Sequence, residues 1–189
     1  GFDNLRYVPQ AYVTFKPRNG KGFQMDFGKF YTSAGAEPTE THLNWNYSRA
    51  LMYANGPYYH FGLRTSMPVT KYLTAGFQLV NGWNNVEDNN SGKTMGFTTA
   101  LTVGKFSWLN TYYTGPEQNK TNQGWRNFYD TVFNFSPNDK VSTYLNIDYG
   151  TQKFVGGRGS NDWIAVGGAA RFQLSKNFAF APRAEYYYD

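Results

Sequence analysis

The sequence predicts an all-β protein: an antiparallel, up-and-down transmembrane β-barrel with about ten strands present, part of a larger barrel. Three observations carry that reading. Apolar and polar residues alternate with period two over long stretches, so each strand has one apolar and one polar face. The connections alternate between short and long, which puts tight turns at one end of the strands and extended loops at the other. The composition is that of a strand protein without a dense aliphatic core. A fifth of the 189 residues are aromatic, with 20 Gly and no Cys, and Leu, Ile and Val are sparse. No apolar run approaches the ~18 residues a membrane-spanning helix needs. A negative mean hydropathy fits a barrel, because alternating strands average to a hydrophilic score.

The stretch Pro57 to Trp83 shows the pattern best. Tyr59, Phe61, Leu63, Thr65 and Met67 fall on one face and His60, Gly62, Arg64 and Ser66 on the other. A reversal at 68–71 leads to Leu73, Ala75, Phe77 and Leu79 against Thr74, Gly76, Gln78 and Gly82, which makes a hairpin. Before it, a first strand over 8–17 places Ala11, Val13 and Phe15 opposite Gln10, Tyr12, Thr14 and Lys16. An Asn19-Gly20 turn signal follows. The second strand, 23–31, sets Phe23, Met25 and Phe27 outward against Gln24, Asp26 and Gly28, with a bulge expected near Lys29. The alternation breaks over 33–56, where a short helix is expected at 47–54, stopped by Gly56.

Beyond the hairpin, a polar loop spans 84–93. Met95, Phe97, Thr99, Leu101 and Val103 form the apolar face of the next strand, which turns at 104–105. The strand 106–114 is irregular and its faces cannot be assigned. After a polar loop at 115–124, Tyr129, Thr131, Phe133 and Phe135 oppose Arg126, Asp130 and Asn134. A type I turn is expected at 137–140. Thr143, Leu145, Ile147 and Tyr149 then oppose Ser142, Tyr144, Asn146 and Asp148. A glycine-rich loop follows, after which Ile164, Val166, Ala170 and Phe172 oppose Ala165, Gly167, Arg171 and Gln173. A turn at 175–177 leads to a last strand with Phe178, Phe180, Ala184 and Tyr186 against Arg183, Glu185 and Tyr187. These strands run roughly nine to twelve residues, the length a tilted strand needs to cross a bilayer.

Aromatic residues gather at the strand ends, as two interface girdles would require. Tyr58, Tyr59, Trp83, Tyr113, Trp125, Trp163 and Tyr186 to Tyr188 stand at the long-loop end. Tyr72, Phe106, Phe135, Phe172 and Phe178 stand at the short-turn end. The bland alternative is that aromatics favour strands anyway.

The segments 26–30 (Asp-Phe-Gly-Lys-Phe), 44–49 (Asn-Trp-Asn-Tyr-Ser-Arg), 57–60 (Pro-Tyr-Tyr-His), 80–85 (Val-Asn-Gly-Trp-Asn-Asn), 88–93 (Asp-Asn-Asn-Ser-Gly-Lys) and 115–118 (Gly-Pro-Glu-Gln) resemble the β-barrel porin-2 family of bacterial outer membranes. The likeness runs in order through nearly the whole chain. It implies a porin-like barrel in a Gram-negative-type outer membrane, with further strands on both sides of this sequence. The sequence begins at Gly1 without an initiator Met and stops within what reads as a strand, so residues 1–189 are expected to be one barrel domain incomplete at both ends.

Catalysis finds no constellation. There are two histidines and no cysteine, and no HExxH or G-x-S-x-G motif. His60 and Ser66 are too far apart along one strand, at ~3.4 Å per residue, to work together. The oxygen-rich run 85–90 lacks EF-hand spacing and reads as an exposed loop rather than a calcium site. The glycines of 153–160 lack the phosphate-loop order, and no basic cluster suits nucleic acid. No enzyme activity, metal or cofactor is expected.

The informative charges lie on the polar faces: Lys16, Arg64, Arg126, Arg171 and Arg183 against Asp26, Asp130, Asp148 and Glu185. If that face lines a lumen, Arg64, Arg126, Asp130, Asp148, Arg171, Arg183 and Glu185 are pore-lining, in a nearly balanced field that predicts weak ion selectivity. Each could equally hold the wall through a cross-strand pair. Segment 33–56 either folds into the lumen, with Arg49 near a constriction, or packs outside over the rim. The interface aromatics are Tyr58, Tyr59, Tyr72, Trp83, Trp125, Phe135, Trp163 and Phe178. The resulting expectation is passive diffusion of small hydrophilic solutes through an outer-membrane channel, with lipid as the other partner and a homotrimer allowed for. The alternatives are a small closed structural or adhesive barrel and a soluble glycan-binding β-sandwich.

Overall fold

The computed structural model describes residues 2–189. Its strands form one antiparallel sheet: β1 (Ala11–Phe15), β2 (Gln24–Tyr31), β3 (Tyr59–Pro68), β4 (Leu73–Val80), β5 (Thr94–Val103), β6 (Phe106–Pro116), β7 (Trp125–Asn138), β8 (Val141–Lys153), β9 (Ser160–Ser175), β10 (Phe178–Phe180) and β11 (Arg183–Tyr188). A helix, α1 (Leu51–Asn55), lies between β2 and β3. Each strand pairs with the next along the chain, and β9 takes both β10 and β11 on its free side. β1 and β11 do not pair with each other, so the sheet is open.

Registers run unbroken through most pairs, and the period-two pattern therefore maps onto two faces. Directly opposed residues share a face. Asp26 opposes Arg64, Arg64 opposes Gln78, Gln78 opposes Gly96 and Gly96 opposes Tyr113. Asp130 likewise opposes Asp148, and Asp148 opposes Ala165. These make up the polar face. On the other side, Val13, Phe27, Leu79, Phe97, Leu145 and Ile164 are exposed in an apolar band. A contiguous exposed apolar band of this kind marks a surface built to meet lipid or another protein.

Local chemistry explains where the structure departs from the pattern. β2 carries no bulge at Lys29, which pairs in register with Ala11 and Phe61. Its register is kept by Gly28 and Gly62, which oppose each other at φ of 138° and 152°. A Cβ at Gly62 would reach 2.8 Å from the Val80 Cα, so the strands approach there only without side chains. The Asn19-Gly20 pair does not form a two-residue hairpin turn, because the left-handed positions are Lys21 and Gly22. Register shifts fall instead between Phe135 and Asn138 and between Phe178 and Ala179. Asn138 organises its turn, its side-chain oxygen accepting the amides of Lys140 and Val141.

β6, whose faces the sequence leaves open, turns Leu109, Thr111 and Tyr113 to the polar face and Trp108, Asn110 and Tyr112 to the apolar one. Asn110 breaks the alternation because its amide is absorbed locally. It donates to Thr99 and accepts from Tyr129 and Thr131. The helix expected at 47–54 is shorter and later, at Leu51–Asn55. Residues before it are occupied elsewhere: Asn46 donates to the Ala181 carbonyl and Ser48 accepts from Arg183. Gly56 follows as the expected stop, but in extended rather than left-handed backbone.

Candidate functional site

The segment between β2 and β3 lies across the polar face, and its first residues form a strap perpendicular to the strands. Ser33 meets β4 and β6: its hydroxyl accepts from Gln78 at 2.9 Å and its carbonyl from Thr111 at 3.0 Å. Gly35 N–H donates to Asp130 on β7 at 3.0 Å, and Ala36 N–H to Asn146 on β8 at 2.8 Å. Glu37 then receives Arg183 of β11 at 2.8 Å. Three residues of extended chain advance about 10 Å, and two strand spacings amount to about 9.6 Å. The strap thus crosses one strand per residue or two, and β4, β6, β7 and β8 each offer it a polar side chain. Those side chains sit where alternation puts polar residues, and they satisfy backbone groups that would otherwise be buried unpaired.

The rest of the insert closes onto β8, β9 and β11. The Trp45 ring lies 5.3 Å from that of Tyr144. Met52 of α1 sits over Gly167, where a Cβ would come within 2.9 Å of its sulfur. The polar-face residues of β9 flanking that notch are Ala165 and Ala169, so a row of small side chains makes room for the helix. Arg183 is the clamp. It bonds Glu37, the carbonyls of Ser48 and Arg49 and the Ser48 hydroxyl, and pairs with Glu185 at 3.3 Å. The two carboxylates it gathers accept the Ala50 and Leu51 amides at the start of α1. The space left between insert and wall is about 30 Å³, room for a water or two. The insert is seated, not draped.

This cover explains a cluster that periodicity alone misreads. Phe30, His60 and Tyr113 are fully buried on the polar face. His60 lies 4.6 Å from Tyr113, and its ring nitrogens meet the Gly82 carbonyl and the Thr32 hydroxyl. Tyr113 donates to Gln78, which in turn holds Ser33. These residues seat the strap.

The structure brings together on one face most of the charged residues singled out from the sequence. Arg64 pairs with Asp26 at 2.7 Å and stacks on Phe30 and Tyr12. Asp130 and Asp148 share the side-chain amide of Asn146. Arg171 bonds the Gln173 side chain. Arg49 donates to the carbonyls of Pro38 and Thr39 and lies over Tyr53, so it organises the insert itself. Arg126 bonds Gln152 and lies over Trp83. At the long-loop end, Glu117 ties the loops together, accepting the Trp83 amide at 2.9 Å and the Thr94 hydroxyl at 2.6 Å. Burial pushes its carboxyl above the usual range against the pull of those bonds. Sequence reasoning missed Glu37, Glu117 and Asn146. Asn146 stood on the polar face in the alternation, but only the insert's path gives it a partner.

Several aromatics assigned to the membrane interface turn the other way, Tyr113 of the buried cluster among them. Trp83 packs edge-on against Phe128 at 5.0 Å, and Trp163 stacks on Phe128 at 6.4 Å, on the polar side. Trp163 lies flat on Gly150, where any Cβ would overlap its indole; the missing side chain draws it there. Tyr58 faces the insert, bonding Ala54 and packing on Tyr53. Tyr59 belongs to the apolar face by register, and Tyr72, Trp125, Phe135 and Phe178 are exposed. No helix of the described residues is long and apolar enough to cross a membrane, and no cluster there would hold a metal ion.

A family model, putative beta-barrel porin-2, OmpL-like, matches residues 1–189. The chain belongs to that family, and the family implies a porin-like, non-enzymatic role. No curated protein and no solved structure matches the chain.

Proposed function

We propose that this member of the β-barrel porin-2 family forms the wall of a water-filled outer-membrane channel for passive diffusion of small hydrophilic solutes, and that segment 32–56 sets its aperture. One observation carries the proposal: a polar-lined strap and helix are seated on the polar face while the opposite face is a bare apolar band. In lipid the apolar band faces hydrocarbon, and the alternate residues line the aqueous side. Arg49, Arg64, Arg126, Arg171, Arg183 and Glu185 are then pore-lining or aperture-forming, with Asp130 as a strap anchor and Asp148 beside it on Asn146. Permeation is filtered by the gap that the insert leaves and by the local field.

The test is swelling of liposomes carrying the protein in neutral sugars of increasing size. The expected result is a size cut-off that moves upward when residues 38–49 are replaced by a short Gly-Ser linker. Folded protein that admits no solute in either form would refute the channel and favour a closed structural barrel. Protein that stays in the aqueous phase without detergent would refute the membrane reading altogether.

A further inference from the structure

Resting on that channel reading, we infer that the pore prefers small anions, because the aspartates of its polar face are covered while the guanidinium groups of Arg49, Arg64 and Arg171 remain within reach of the water. A formal count of charges on the polar face is nearly balanced, but burial is not. Asp26, Asp130 and Asp148 are 2%, 1% and 4% exposed. Asp130 is covered by the strap that its own oxygen anchors, and Asp148 stands beside it. Glu37 and Glu185 are drawn onto Arg183. The carboxylates of this face thus serve as fasteners.

The arginines differ. Arg64 holds Asp26 with its Nε, while its side chain stays 26% exposed. Arg171 has an amide rather than a carboxylate as its partner and is half-buried. Arg49 is bonded to carbonyls and is also half-buried. By register, Arg126 stands towards the long-loop end, Arg64 at mid-strand and Arg171 towards the short-turn end, so positive charge is presented along the route. At mid-strand a recess of about 250 Å³ is lined by Arg64, Asp26, Gln24, Ser66, Gln78 and Thr98, the Asp26 carboxylate being taken up by bonds from Arg64, Thr14 and Gln24. It offers hydroxyl and amide donors beside a guanidinium, which is the chemistry that desolvates a small carboxylate or inorganic anion. Arginine-lined pores select anions for this reason.

The experiment is the reversal potential of the protein in planar bilayers under a potassium chloride gradient. A local potential of about half a kT enriches chloride and depletes potassium together, giving a chloride-over-potassium permeability ratio of ~3, and a ratio of at least that size is expected. Arg171→Gln leaves no buried carboxylate unpaired and should reduce the ratio, and Arg171→Glu should reduce it further. Arg64→Gln alone would strand Asp26, so the paired change Asp26→Asn with Arg64→Gln tests the recess with its neutrality preserved; it too should lower the ratio. Channels that conduct without preference, or prefer potassium, would overturn this inference and leave the channel standing. Absence of any conductance from folded protein would overturn the channel itself, and the inference with it.

Discussion

Removing the Arg183 side chain should release the insert while leaving the sheet intact. Arg183 is 11% exposed and joins residues on both arms of the insert to β11. Arg183→Ala strands Glu37 and Glu185 beside each other without a cation. Breaking a buried pair from one side costs about 3–5 kcal/mol. Because the side chain keeps some contact with water, the low end applies, about 3 kcal/mol, or roughly a hundredfold in the docking equilibrium. The Ala50 and Leu51 amides are held by those two carboxylates at 3.0 and 2.5 Å, so they report on docking directly. Hydrogen exchange at these amides should accelerate by about two orders of magnitude, with amides of β7 and β8 unchanged. Arg183→Lys keeps charge but not the fork, and should fall between. Exchange at 50 and 51 within threefold of the parent (about 0.6 kcal/mol) would show that Arg183 does not clamp the insert.

Other outcomes follow from the same geometry. Gly167→Ala should cost under about 1 kcal/mol, because the Met52 thioether it meets at 2.9 Å can swing aside, whereas Gly167→Leu should displace α1 at about 1–3 kcal/mol; denaturant titration in detergent separates them. Leu145→Arg puts a charge on the apolar band and should cost about 2–4 kcal/mol in lipid near mid-bilayer, whereas Ser142→Arg on the polar face, set opposite Arg171, should cost only the like-charge repulsion of a cross-strand pair, under about 1 kcal/mol, as folding titrations in vesicles would show. Because the Glu117 carboxyl is raised in the folded chain, its contribution is fully present below the ordinary glutamate range and is lost as pH rises through the raised value. Protection of the Trp83 amide should therefore weaken with rising pH across that window, and Glu117→Gln should flatten the dependence. A closed barrel should run faster unheated than heated on a denaturing gel; a single unshifted band for this 189-residue chain would show that the open edges at β1 and β11 leave it unable to close alone.

The polar and apolar faces of the strands are legible in the sequence because register shifts by whole pleats and a one-residue slip would invert every side chain. Tyr59 to Met67 and Leu73 to Leu79 thus declare their faces by alternation alone. So does the succession of short turns and long loops. β6 is not legible, because Asn110 on the apolar face is satisfied by Thr99, Tyr129 and Thr131 from neighbouring strands. The site is half legible: Arg64, Arg126, Asp130, Asp148, Arg171, Arg183 and Glu185 are visible as charges on one face. Their roles are not. Whether a charge meets water or seals a backbone amide depends on where residues 32–56 lie, and that path is set by contacts such as Gly35 to Asp130 and Met52 to Gly167, far apart in the chain. Local periodicity fixes which way a side chain points; only the tertiary fold decides what covers it.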